Sequence, residues 1–532
     1  MATDCILKQL SRYPVGTFAD IIYRQALINS NNLAFIYGND RTTFAEYNAR
    51  VNSLVHALHA MGVKKGDVLG VLSWNCMEYT YIFGAAMKGG FIASPYNPRL
   101  QAHELDYLIN YSTANTLFVG PEFFDIIKQL RPKLSKVKNF ISLESPTQEM
   151  KYIAELIKSN SNEEPDVEVT EADPVTVIYT SGTTGLPKGA LYTQGRIIEN
   201  AKINMTCLPI KSSDRSILAL QLFHVAPVEY LQNFLYAGAC NILVKSFDPV
   251  TIMQTIQDEK VTVIALVPTA LAAIFAMPDF EKYDRNSLTR ISYLGSPMPV
   301  ALLKRGIEKF GFIFCQQYGQ SESGPLVTIL PQEEHKAAYG TNEDQKVLRS
   351  CGRPVPGVHV RIVDEKDNDL LPGEIGEIII QSKELMREYW QKPKETAETL
   401  VKGWLHTRDL GYYDEKGNIY IADRKQDMII TGGEHVFPRE VEEILYQHPL
   451  ILEAAVIGVP DDYWVERVHA FVVLKNGTSC TADEIMDFCK QRISRFKAPK
   501  SVDFIPALPK SATGKILKTQ LRKDYKDKSA KK

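Results

Sequence analysis

The hydrophobic and polar positions along the chain alternate between a helical and an extended period up to about residue 300. Val51, Leu54, Val55 and Leu58 form one helical stripe, and the run Val68–Leu72 that follows is apolar throughout, as in a buried strand. Similar pairs of helices and strands recur along this part of the chain. Because strands that alternate with helices favour parallel sheets, the pattern predicts an α/β fold with helices covering the sheets.

From about residue 352 the pattern changes to short alternating runs separated by turn residues, which is typical of antiparallel hairpins. This part predicts a small β-barrel-like region at the end of the large domain. Helices and strands follow again from about residue 438, as in a small α+β domain. We place the boundary so that residues 1–423 form a large N-terminal domain and residues 424–532 a small mobile domain.

Two polar stretches are predicted to lie at the surface. Residues 140–172 are rich in Glu, Ser, Asn and Lys, and we expect a surface excursion between two halves of the large domain. Residues 515–532 are basic and polar, and we expect a solvated chain end.

Composition and charge narrow the class of protein. A chain of 532 residues is too long for one core, and 45% apolar with 23% charged residues is ordinary for a soluble globular protein. A net charge of −2 argues against nucleic acid and anionic membranes as partners. No apolar run approaches the roughly 18 residues of a transmembrane segment, and no charged-then-apolar leader opens the chain. The eight cysteines form no C-x-x-C pair, so reduced thiols and a cytoplasmic location are expected.

A loop rich in glycine and hydroxyl groups follows the predicted strand that begins at Pro174. Its sequence is Thr180-Ser181-Gly182-Thr183-Thr184-Gly185-Leu186-Pro187-Lys188-Gly189. Glycines let the backbone approach a phosphate, while the hydroxyl groups and Lys188 add donors and one positive charge. A Walker A loop would need Ser or Thr after the lysine, where this chain has Gly189. A flexible polar surface turn is the plainer alternative.

Two later stretches place carboxylates where a nucleotide site could use them. Glu322 follows a predicted strand in Gln317-Tyr318-Gly319-Gln320-Ser321-Glu322, and one carboxylate with phosphate oxygens suits Mg²⁺. Asp409 lies in Gly403-Trp404-Leu405-His406-Thr407-Arg408-Asp409-Leu410-Gly411, and its two oxygens can accept from two hydroxyls. The alternatives are a solvated glutamate and an aspartate that caps a turn.

A fourth stretch near the end of the chain is Leu508-Pro509-Lys510-Ser511-Ala512-Thr513-Gly514-Lys515. Together these stretches closely resemble the ordered motifs of one enzyme superfamily. The resemblance is to the adenylate-forming enzymes, which include acyl-CoA synthetases, aryl-CoA ligases, luciferases and stand-alone adenylation domains. It covers essentially the whole chain. No single motif would identify the family, whereas their joint order and spacing does.

The resemblance implies a nucleotide site and a set of catalytic residues. Glu322 would hold Mg²⁺, Tyr318 would lie against adenine, Asp409 and Arg424 would bind the ribose, and Lys515 would be the catalytic lysine. The residues implied to bind ATP or AMP are Thr180, Ser181, Gly182, Thr183, Thr184, Lys188, Gly295, Ser296, Pro297, Gln317, Tyr318, Gly319, Ser321, Asp409, Arg424 and Lys515. The catalytic set is Lys515, Glu322, Thr180 and His224.

The resemblance also implies positions for the acid and for the thiol. The acyl pocket would be lined by His224, Val225, Tyr230, Gly319 and Gln320, and the thiol side by Gly432, Gly433, Glu434 and Trp464. Gln426 stands at the implied hinge, where relatives most often have Asp or Lys, and His435 replaces the usual Asn. His224 as a satisfied core histidine and Trp464 as a packed core residue are the alternatives.

The implied reaction has two halves, with ATP, Mg²⁺ and coenzyme A as requirements. A carboxylic acid would react with ATP to give an acyl-adenylate and pyrophosphate, and CoA would then take the acyl group and release AMP. The predicted pocket has no obvious cation, which favours a medium- or long-chain fatty acid over a dicarboxylate. An aryl or alicyclic acid, or an enzyme that loads a carrier protein, are alternatives; a non-catalytic relative and a phosphate-releasing NTPase are disfavoured. The sequence is also compatible with a homodimer.

Overall fold

The computed structural model describes residues 10–11, 13, 15–180, 187–339, 344–431, 434–461, 463–511 and 515–529. The predicted α/β fold, with a separate C-terminal domain, is confirmed. Within the described residues, no helix combines the length and the apolar character needed to cross a bilayer.

The first sheet is parallel in its centre and antiparallel at both edges. Its nine described strands lie in the order Arg353–Pro354, Gly324–Leu330, Phe314–Gln320, Arg290–Tyr293, Val263–Leu266, Arg215–Leu218, Cys240–Leu243, Leu33–Tyr37 and Asp40–Thr43. The central strands from Phe314–Gln320 to Leu33–Tyr37 pair in parallel. Their carboxyl ends therefore lie along one edge, where α/β proteins place ligands.

The second sheet has the same mixed character. Its eight described strands lie in the order Glu388–Tyr389, Lys188–Thr193, Pro174–Thr180, Ile92–Pro95, Val68–Leu72, Thr116–Val119, Asn139–Ser142 and Lys151–Tyr152. The antiparallel pairing of Pro174–Thr180 with Lys188–Thr193 places Thr180 opposite Lys188, at the two ends of the glycine-rich loop.

Helices cover the sheets, and five of them contact one another within a core cluster that includes strands of both sheets. These five are Phe18–Ile28, Phe44–Ala60, Met77–Gly89, Gln194–Cys207 and Val225–Ala237. The other described α-helices of the large domain are Ala102–Ser112, Phe124–Leu130, Ile153–Lys158, Pro249–Glu259, Pro268–Phe275, Val300–Phe310, Gln332–Tyr339 and Pro393–Thr399. Short 3₁₀ turns span Pro121–Phe123, Arg131–Lys133, Phe280–Lys282 and Asp344–Arg349.

The antiparallel region predicted after residue 352 is a third sheet. Its strands lie in the order His359–Val363, Gly376–Gln381, Trp404–Tyr413 and Leu400–Val401, with Ile419–Arg424 also paired to Trp404–Tyr413. This last pairing places Arg424 directly opposite Asp409.

In the described part of the C-terminal domain, three helices pack around a fourth sheet. The strands lie in the order Glu434–Val436, Ile429–Thr431, Val465–Leu474 and Ile451–Asp461, with Ser501–Phe504 paired in parallel to Val465–Leu474. The helices are Pro438–Leu445, Ala482–Lys490 and Lys518–Ser529. The domain has its own core clusters, on either face of the sheet.

Of the two expectations about polar stretches, the first holds only for residues 159–172, which form no helix or strand and are exposed or half-buried. Residues 140–172 contribute the strands Asn139–Ser142 and Lys151–Tyr152 to the second sheet, and the helix Ile153–Lys158 packs on Phe44–Ala60. The basic tail was expected to be solvated, but residues 518–529 form a docked helix with Leu521 buried. The helix also forms ion pairs, as between Arg522 Nη2 and Asp427 Oδ1 at 2.8 Å.

Candidate active site

The candidate site lies where strands of the large domain end and a turn of the small domain approaches them. Thr180 ends the strand Pro174–Thr180, and Gly295 follows the strand Arg290–Tyr293. Lys515 comes from the C-terminal domain, and a Cβ atom placed on Gly295 would lie 3.6 Å from Lys515 Cε. The two domains therefore meet at this point.

The two ends of the glycine-rich loop contact a carboxylate and an aromatic ring. Ser181, Gly182, Thr183 and Thr184 lie outside the described residues. Thr180 Oγ1 donates a hydrogen bond to Glu322 Oε1 at 3.3 Å. Lys188 is buried, and its Nζ lies 5.1 Å from the ring centroid of Tyr389.

Glu322 is held by hydroxyl groups from two different segments. Tyr389 Oη donates to Glu322 Oε1 at 2.8 Å, in addition to the bond from Thr180. Burial and the negative charge of Glu322 raise the pKa of Tyr389, which keeps the phenol protonated as a donor. Carboxylate and hydroxyl oxygens are hard ligands, so the donor set fits Mg²⁺. The described residues contain no group of three His, Cys, Asp or Glu side chains able to hold a metal, so phosphate oxygens would complete its coordination.

Asp409 is a buried carboxylate with two donors on one of its oxygens. Tyr318 Oη donates to Asp409 Oδ2 at 2.8 Å, and Gln320 Nε2 donates to the same oxygen at 2.7 Å. Arg424 Nε lies 3.6 Å from Oδ1, so the second oxygen faces the guanidinium. Burial raises the pKa of Asp409, and the charge of Arg424 opposes that shift.

The side chain of Gln320 was expected in the acyl pocket, but it lies beside Asp409. Its amide also donates to the carbonyl oxygen of Thr407 at 3.1 Å. Gly319 has no side chain to offer to an acid. A Cβ atom there would lie 2.0 Å from the carbonyl oxygen of Gly324, so no other residue fits. Ser321 presents its carbonyl oxygen to Tyr192, whose hydroxyl donates to it at 2.6 Å.

Lys515 is surrounded by charged side chains from the large domain and the start of the small one. Lys515 N donates a hydrogen bond to Ser511 Oγ, and Ser511 N donates one to the carbonyl oxygen of Lys515. Burial, followed by the positive charge of Arg424, lowers the pKa of Lys515 to about 8, and Asp409 and Glu322 partly offset the shift. The ammonium group therefore shares one electrostatic environment with both site carboxylates.

His224 lies at the start of the helix Val225–Ala237, with its ring against that of Phe223. Its Nε2 is buried and has no hydrogen-bond partner among the described residues. Burial, with the charges of Lys515 and Arg99, lowers the pKa of His224 to about 3, so the imidazole is neutral. A neutral ring with a free nitrogen is suited to contact an uncharged polar atom of a ligand.

Behind His224 the walls are largely apolar. Val225 is half-buried, and Tyr230 is buried and donates to Gln317 Oε1 at 3.3 Å. Ser296 and Pro297 follow Gly295 at the edge of the site and are partly exposed. A narrow cavity adjoins Tyr230, and its lining residues are Ile217, Leu218, Ala219, Leu220, Pro227, Tyr230 and Ala265.

Three of the residues predicted for the thiol side and the hinge, Glu434, Trp464 and Gln426, lie at the surface of the C-terminal domain. Gly432 and Gly433 are outside the described residues. Glu434 is exposed in the short strand paired with Ile429–Thr431, and Gln426 is exposed in the turn after Arg424. Trp464 is 43% exposed and meets the ring of Tyr463 edge-on, with centroids 4.6 Å apart.

Several residues of the site were missed in the sequence. Tyr389 reaches Glu322 only because the strand Glu388–Tyr389 pairs with Lys188–Thr193, a long-range contact that no local pattern reveals. The pair of Arg196 and Glu229, behind the Glu322 loop, could have been predicted from the sequence. A lone carboxylate within the apolar helix Val225–Ala237 indicates a buried partner.

Comparisons with known proteins agree with this arrangement. The AMP-binding enzyme family matches residues 22–390, and the AMP-binding enzyme C-terminal domain matches residues 440–515. A feruloyl-CoA synthase of Amycolatopsis sp is 34% identical over 504 residues, covering 94% of this chain and 98% of the relative. The long-chain-fatty-acid–CoA ligase FadD13 of Mycobacterium tuberculosis is 33% identical over 488 residues, covering 91% and 93%.

A solved structure shows the same architecture. The anthranilate CoA ligase AuaEII in complex with anthranoyl-AMP has a TM-score of 0.90 and 28% identity, covering 98% of this chain and 99% of that one. The chain belongs to the AMP-binding enzyme family, in the acyl-CoA ligase branch of the adenylate-forming superfamily. ATP, Mg²⁺ and coenzyme A are the usual requirements of such AMP-forming ligases.

Proposed function

We propose that this ligase activates a carboxylic acid with an uncharged, apolar body as its acyl-adenylate and transfers the acyl group to coenzyme A. The observation that carries the proposal is the position of Lys515. It comes from the C-terminal domain, yet it packs at Gly295 and is influenced by Glu322 and Asp409 of the large domain. A lysine so placed can act on a nucleotide bound between the domains.

In the first half-reaction, a carboxylate oxygen of the acid attacks the α-phosphorus of ATP. The bond from that phosphorus to pyrophosphate breaks, and the acyl-adenylate forms. Negative charge grows between the carboxylate and the α-phosphate, where the Lys515 ammonium group stabilises it. Thr180 and Lys188 would contact phosphates, and Glu322 would hold Mg²⁺, which neutralises charge on the phosphate oxygens when bound.

Asp409 would anchor the ribose during this step. Its Oδ1 faces Arg424, whereas Oδ2 is already held by Tyr318 and Gln320. These two donors fix the carboxylate plane before the nucleotide binds, so little entropy is lost on binding. Tyr318 would lie against the adenine, with Ser296 and Pro297 at its edge.

In the second half-reaction the same site must serve a different transition state. The CoA thiol gives its proton to water and its sulfur attacks the acyl carbonyl carbon, and AMP leaves as the bond between the carbonyl carbon and the phosphate oxygen breaks. We place the hinge at Gln426, in the turn that follows Arg424. Rotation there would withdraw Lys515 and bring the segment with Gly432, Gly433, Glu434 and Trp464 toward the thiol, a conformational step typical of enzymes that run two chemistries.

Contacts across the proposed boundary stabilise the arrangement that adenylation needs. Arg439, in the C-terminal domain, donates from Nη1 to the carbonyl oxygen of Ile421 at 2.5 Å. Glu443 Oε2 lies 3.1 Å from Arg349 Nε. Rotation would exchange these contacts for others, so they set part of the balance between the two half-reactions.

The pocket supports an apolar acid. Val225 and Tyr230, beside His224, are uncharged, so neither would provide a counter-charge for a second carboxylate on the acid. The cavity beside Tyr230 has a volume of about 10 Å³, roughly the space of one water, so the acid would bind outside it. We propose medium- or long-chain fatty acids as the first candidates, in line with the relative FadD13. Aromatic acids are the second, in line with the feruloyl- and anthranilate-specific names of other relatives.

A panel of acids tests the proposal. Each acid is incubated with ATP, Mg²⁺ and CoA, and pyrophosphate, AMP and the acyl-CoA product are measured separately. We expect acid-dependent pyrophosphate release for fatty or aromatic monocarboxylic acids and none for dicarboxylic acids of similar length. ADP as the nucleotide product, or pyrophosphate release that no acid increases, would contradict the proposal. A carrier protein that replaces CoA as the better acceptor would contradict only its second half.

A further inference from the structure

A fully buried ion pair lies behind the segment that carries Glu322. Arg196, in the helix Gln194–Cys207, pairs with Glu229, in the helix Val225–Ala237, at 2.7 Å from Nη1 to Oε1. The two side chains are 2% and 1% exposed. Since desolvation can cancel the attraction of such a pair, its presence is weak evidence for a role in stability. A role in positioning is the better explanation if the pair supports a functional segment.

The pair is connected to the Glu322 segment through one aromatic ring. The guanidinium carbon of Arg196 lies 3.6 Å from the ring centroid of Tyr192, and the Tyr192 hydroxyl donates to the carbonyl oxygen of Ser321 at 2.6 Å. Ser321 immediately precedes Glu322. The ion pair therefore fixes the ring, and the ring fixes the backbone on one side of the carboxylate.

A second segment holds the other side of the same backbone. Met386 N donates to the carbonyl oxygen of Glu322 at 2.8 Å, and Glu384 is fully buried and accepts from Asn200 Nδ2 at 3.3 Å. Gly324 has φ +92°, and a Cβ atom there would lie 2.6 Å from Glu384 Oε2 and 3.6 Å from Arg196 Nη2. The segment Ser321–Gly324 is thus enclosed by the buried charges with no room for a side chain at its end.

We propose that Arg196, Glu229 and Tyr192 are positioning residues that hold the Ser321–Gly324 backbone so that Glu322 presents its carboxylate to Mg²⁺. The inference rests on the metal role proposed for Glu322. Mg²⁺ demands near-octahedral geometry with oxygens at roughly 2.0–2.1 Å, so a small shift of the carboxylate is costly. Tyr192, Arg196 and Glu229 act through the backbone of this segment and do not themselves contact the metal.

Tyr192→Phe tests the inference with the loss of one hydroxyl. Binding of a non-hydrolysable ATP analogue is measured by calorimetry, once with Mg²⁺ and once with EDTA. We expect the variant to bind the Mg²⁺ complex about fivefold more weakly than the unchanged protein, on the scale of one lost hydrogen bond. Its affinity for the metal-free analogue should equal that of the unchanged protein. The Mg²⁺ concentration for half-maximal pyrophosphate release should rise, while kcat at saturating Mg²⁺ recovers.

A second variant tests the ion pair itself. Arg196→Met alone would leave the Glu229 carboxylate buried without a partner, so Arg196→Met and Glu229→Met are combined, which removes both charges at similar volume. The same selective loss of Mg²⁺-dependent affinity is expected. As a matched control, Glu164→Gln breaks the ion pair of Lys88, a buried lysine whose other hydrogen-bond partners, Asn48 and Asn52, are outside the candidate site. It should leave the Mg²⁺ dependence unchanged.

Glu322→Gln separates the metal role of Glu322 from the positioning role of the residues behind it. If this variant loses the Mg²⁺-dependent affinity but Tyr192→Phe retains it, the positioning role is overturned and the metal site stands. Equal losses for Tyr192→Phe with Mg²⁺ and with EDTA would also overturn it, because they indicate a general disturbance of the nucleotide site. If Glu322→Gln binds the Mg²⁺ complex normally, the proposed metal site and the inference fail together.

Discussion

Asp409 and Arg424 face each other across two antiparallel strands, and Arg424 Nε lies 3.6 Å from Asp409 Oδ1. Arg424 is also the last residue of its strand, immediately before the turn in which we place the hinge. The residue pair proposed for the ribose therefore adjoins the point at which the C-terminal domain would rotate. A nucleotide bound there would lie next to the hinge between the large domain and the C-terminal domain.

Asp409→Asn should weaken the binding of ATP far more than that of the acid. The amide nitrogen would face donors in either orientation, Tyr318 and Gln320 at the Oδ2 position or Arg424 at the Oδ1 position, and the negative charge opposite Arg424 would be lost. Hydrogen bonds to a charged group are worth roughly 1.5–3 kcal/mol, so we expect a 10- to 100-fold rise in KM for ATP. Steady-state kinetics with each substrate varied in turn measures the two KM values.

The matched control for this change is Asp414→Asn, which alters a carboxylate in a turn of the same sheet that bonds Asn418 and Tyr420. Its KM for ATP should stay close to that of the unchanged enzyme. Equal increases in the two KM values of Asp409→Asn would argue against a contact with the nucleotide.

Lys515→Ala should abolish formation of the acyl-adenylate and leave the second half-reaction mostly intact. The ammonium group is needed where charge grows on the α-phosphate, but it would be withdrawn before the thiol attacks. The two steps are separated by measuring pyrophosphate release from acid and ATP, and acyl-CoA formation from a supplied acyl-adenylate. Equal loss of both activities would contradict the assignment of the lysine to one step.

The pH dependence of adenylation should follow the charge of Lys515. Its pKa is lowered to about 8, mainly by burial, so the active ammonium form predominates below that pH and is lost above it. The rate of pyrophosphate release should therefore fall as the pH rises through about 8. Lys515→Arg, which stays charged because the arginine pKa exceeds about 12, should be slower but should not show this fall. A descending limb that persists in Lys515→Arg would assign it to another group.

Glu164→Gln should destabilise the large domain most strongly below pH 8. Lys88 is 4% exposed and its ammonium pairs with Glu164. Burial lowers the pKa of Lys88 to about 8, and Glu164 opposes the shift. Below that pH the charged amine needs its partner, and above it the amine is neutral, so the stability difference from the unchanged protein should shrink as the pH rises through about 8.

Losing one partner of a buried ion pair costs about 3–5 kcal/mol. The partly exposed Glu164 reduces that figure, so we expect about 1–3 kcal/mol at neutral pH. Denaturant unfolding at several pH values measures the difference. Glu163→Gln changes the neighbouring exposed carboxylate and should have little effect at any pH. A loss that is independent of pH would show that Lys88 is not the group involved.

The order of elements could be predicted from the sequence because period and turn chemistry are local. The stripe of Val51 and Leu54 and the run Val68–Leu72 became a helix and a strand as expected. The helix Lys518–Ser529 was missed because its sequence is almost wholly polar and is stabilised by ion pairs to distant carboxylates, such as Lys518 with Glu442 at 2.9 Å. Tertiary contacts of this kind leave no periodic pattern.

The proposed roles of Glu322, Asp409 and Lys515 came from the resemblance to family motifs and not from residue type alone. In the structure both carboxylates act electrostatically on Lys515. The directions of the side chains could not be predicted from the sequence. Gln320 was assigned to the acid because of its place in a motif, yet a register shift between Phe314–Gln320 and Gly324–Leu330 turns its amide to Asp409. Tyr389 lies 67 positions from Glu322 in the sequence, and only the pairing of two strands brings its hydroxyl into contact.

The absence of space at Gly319 means that this position in the proposed acid site can hold only glycine. Backbone atoms of Gly324 and Pro325 occupy the volume that any β-carbon would need. Natural variation at that point would damage the turn before it altered the fit of an acid. At the acid site that we propose, a change of acid would instead involve side chains such as Val225, which is half-buried at the start of its helix.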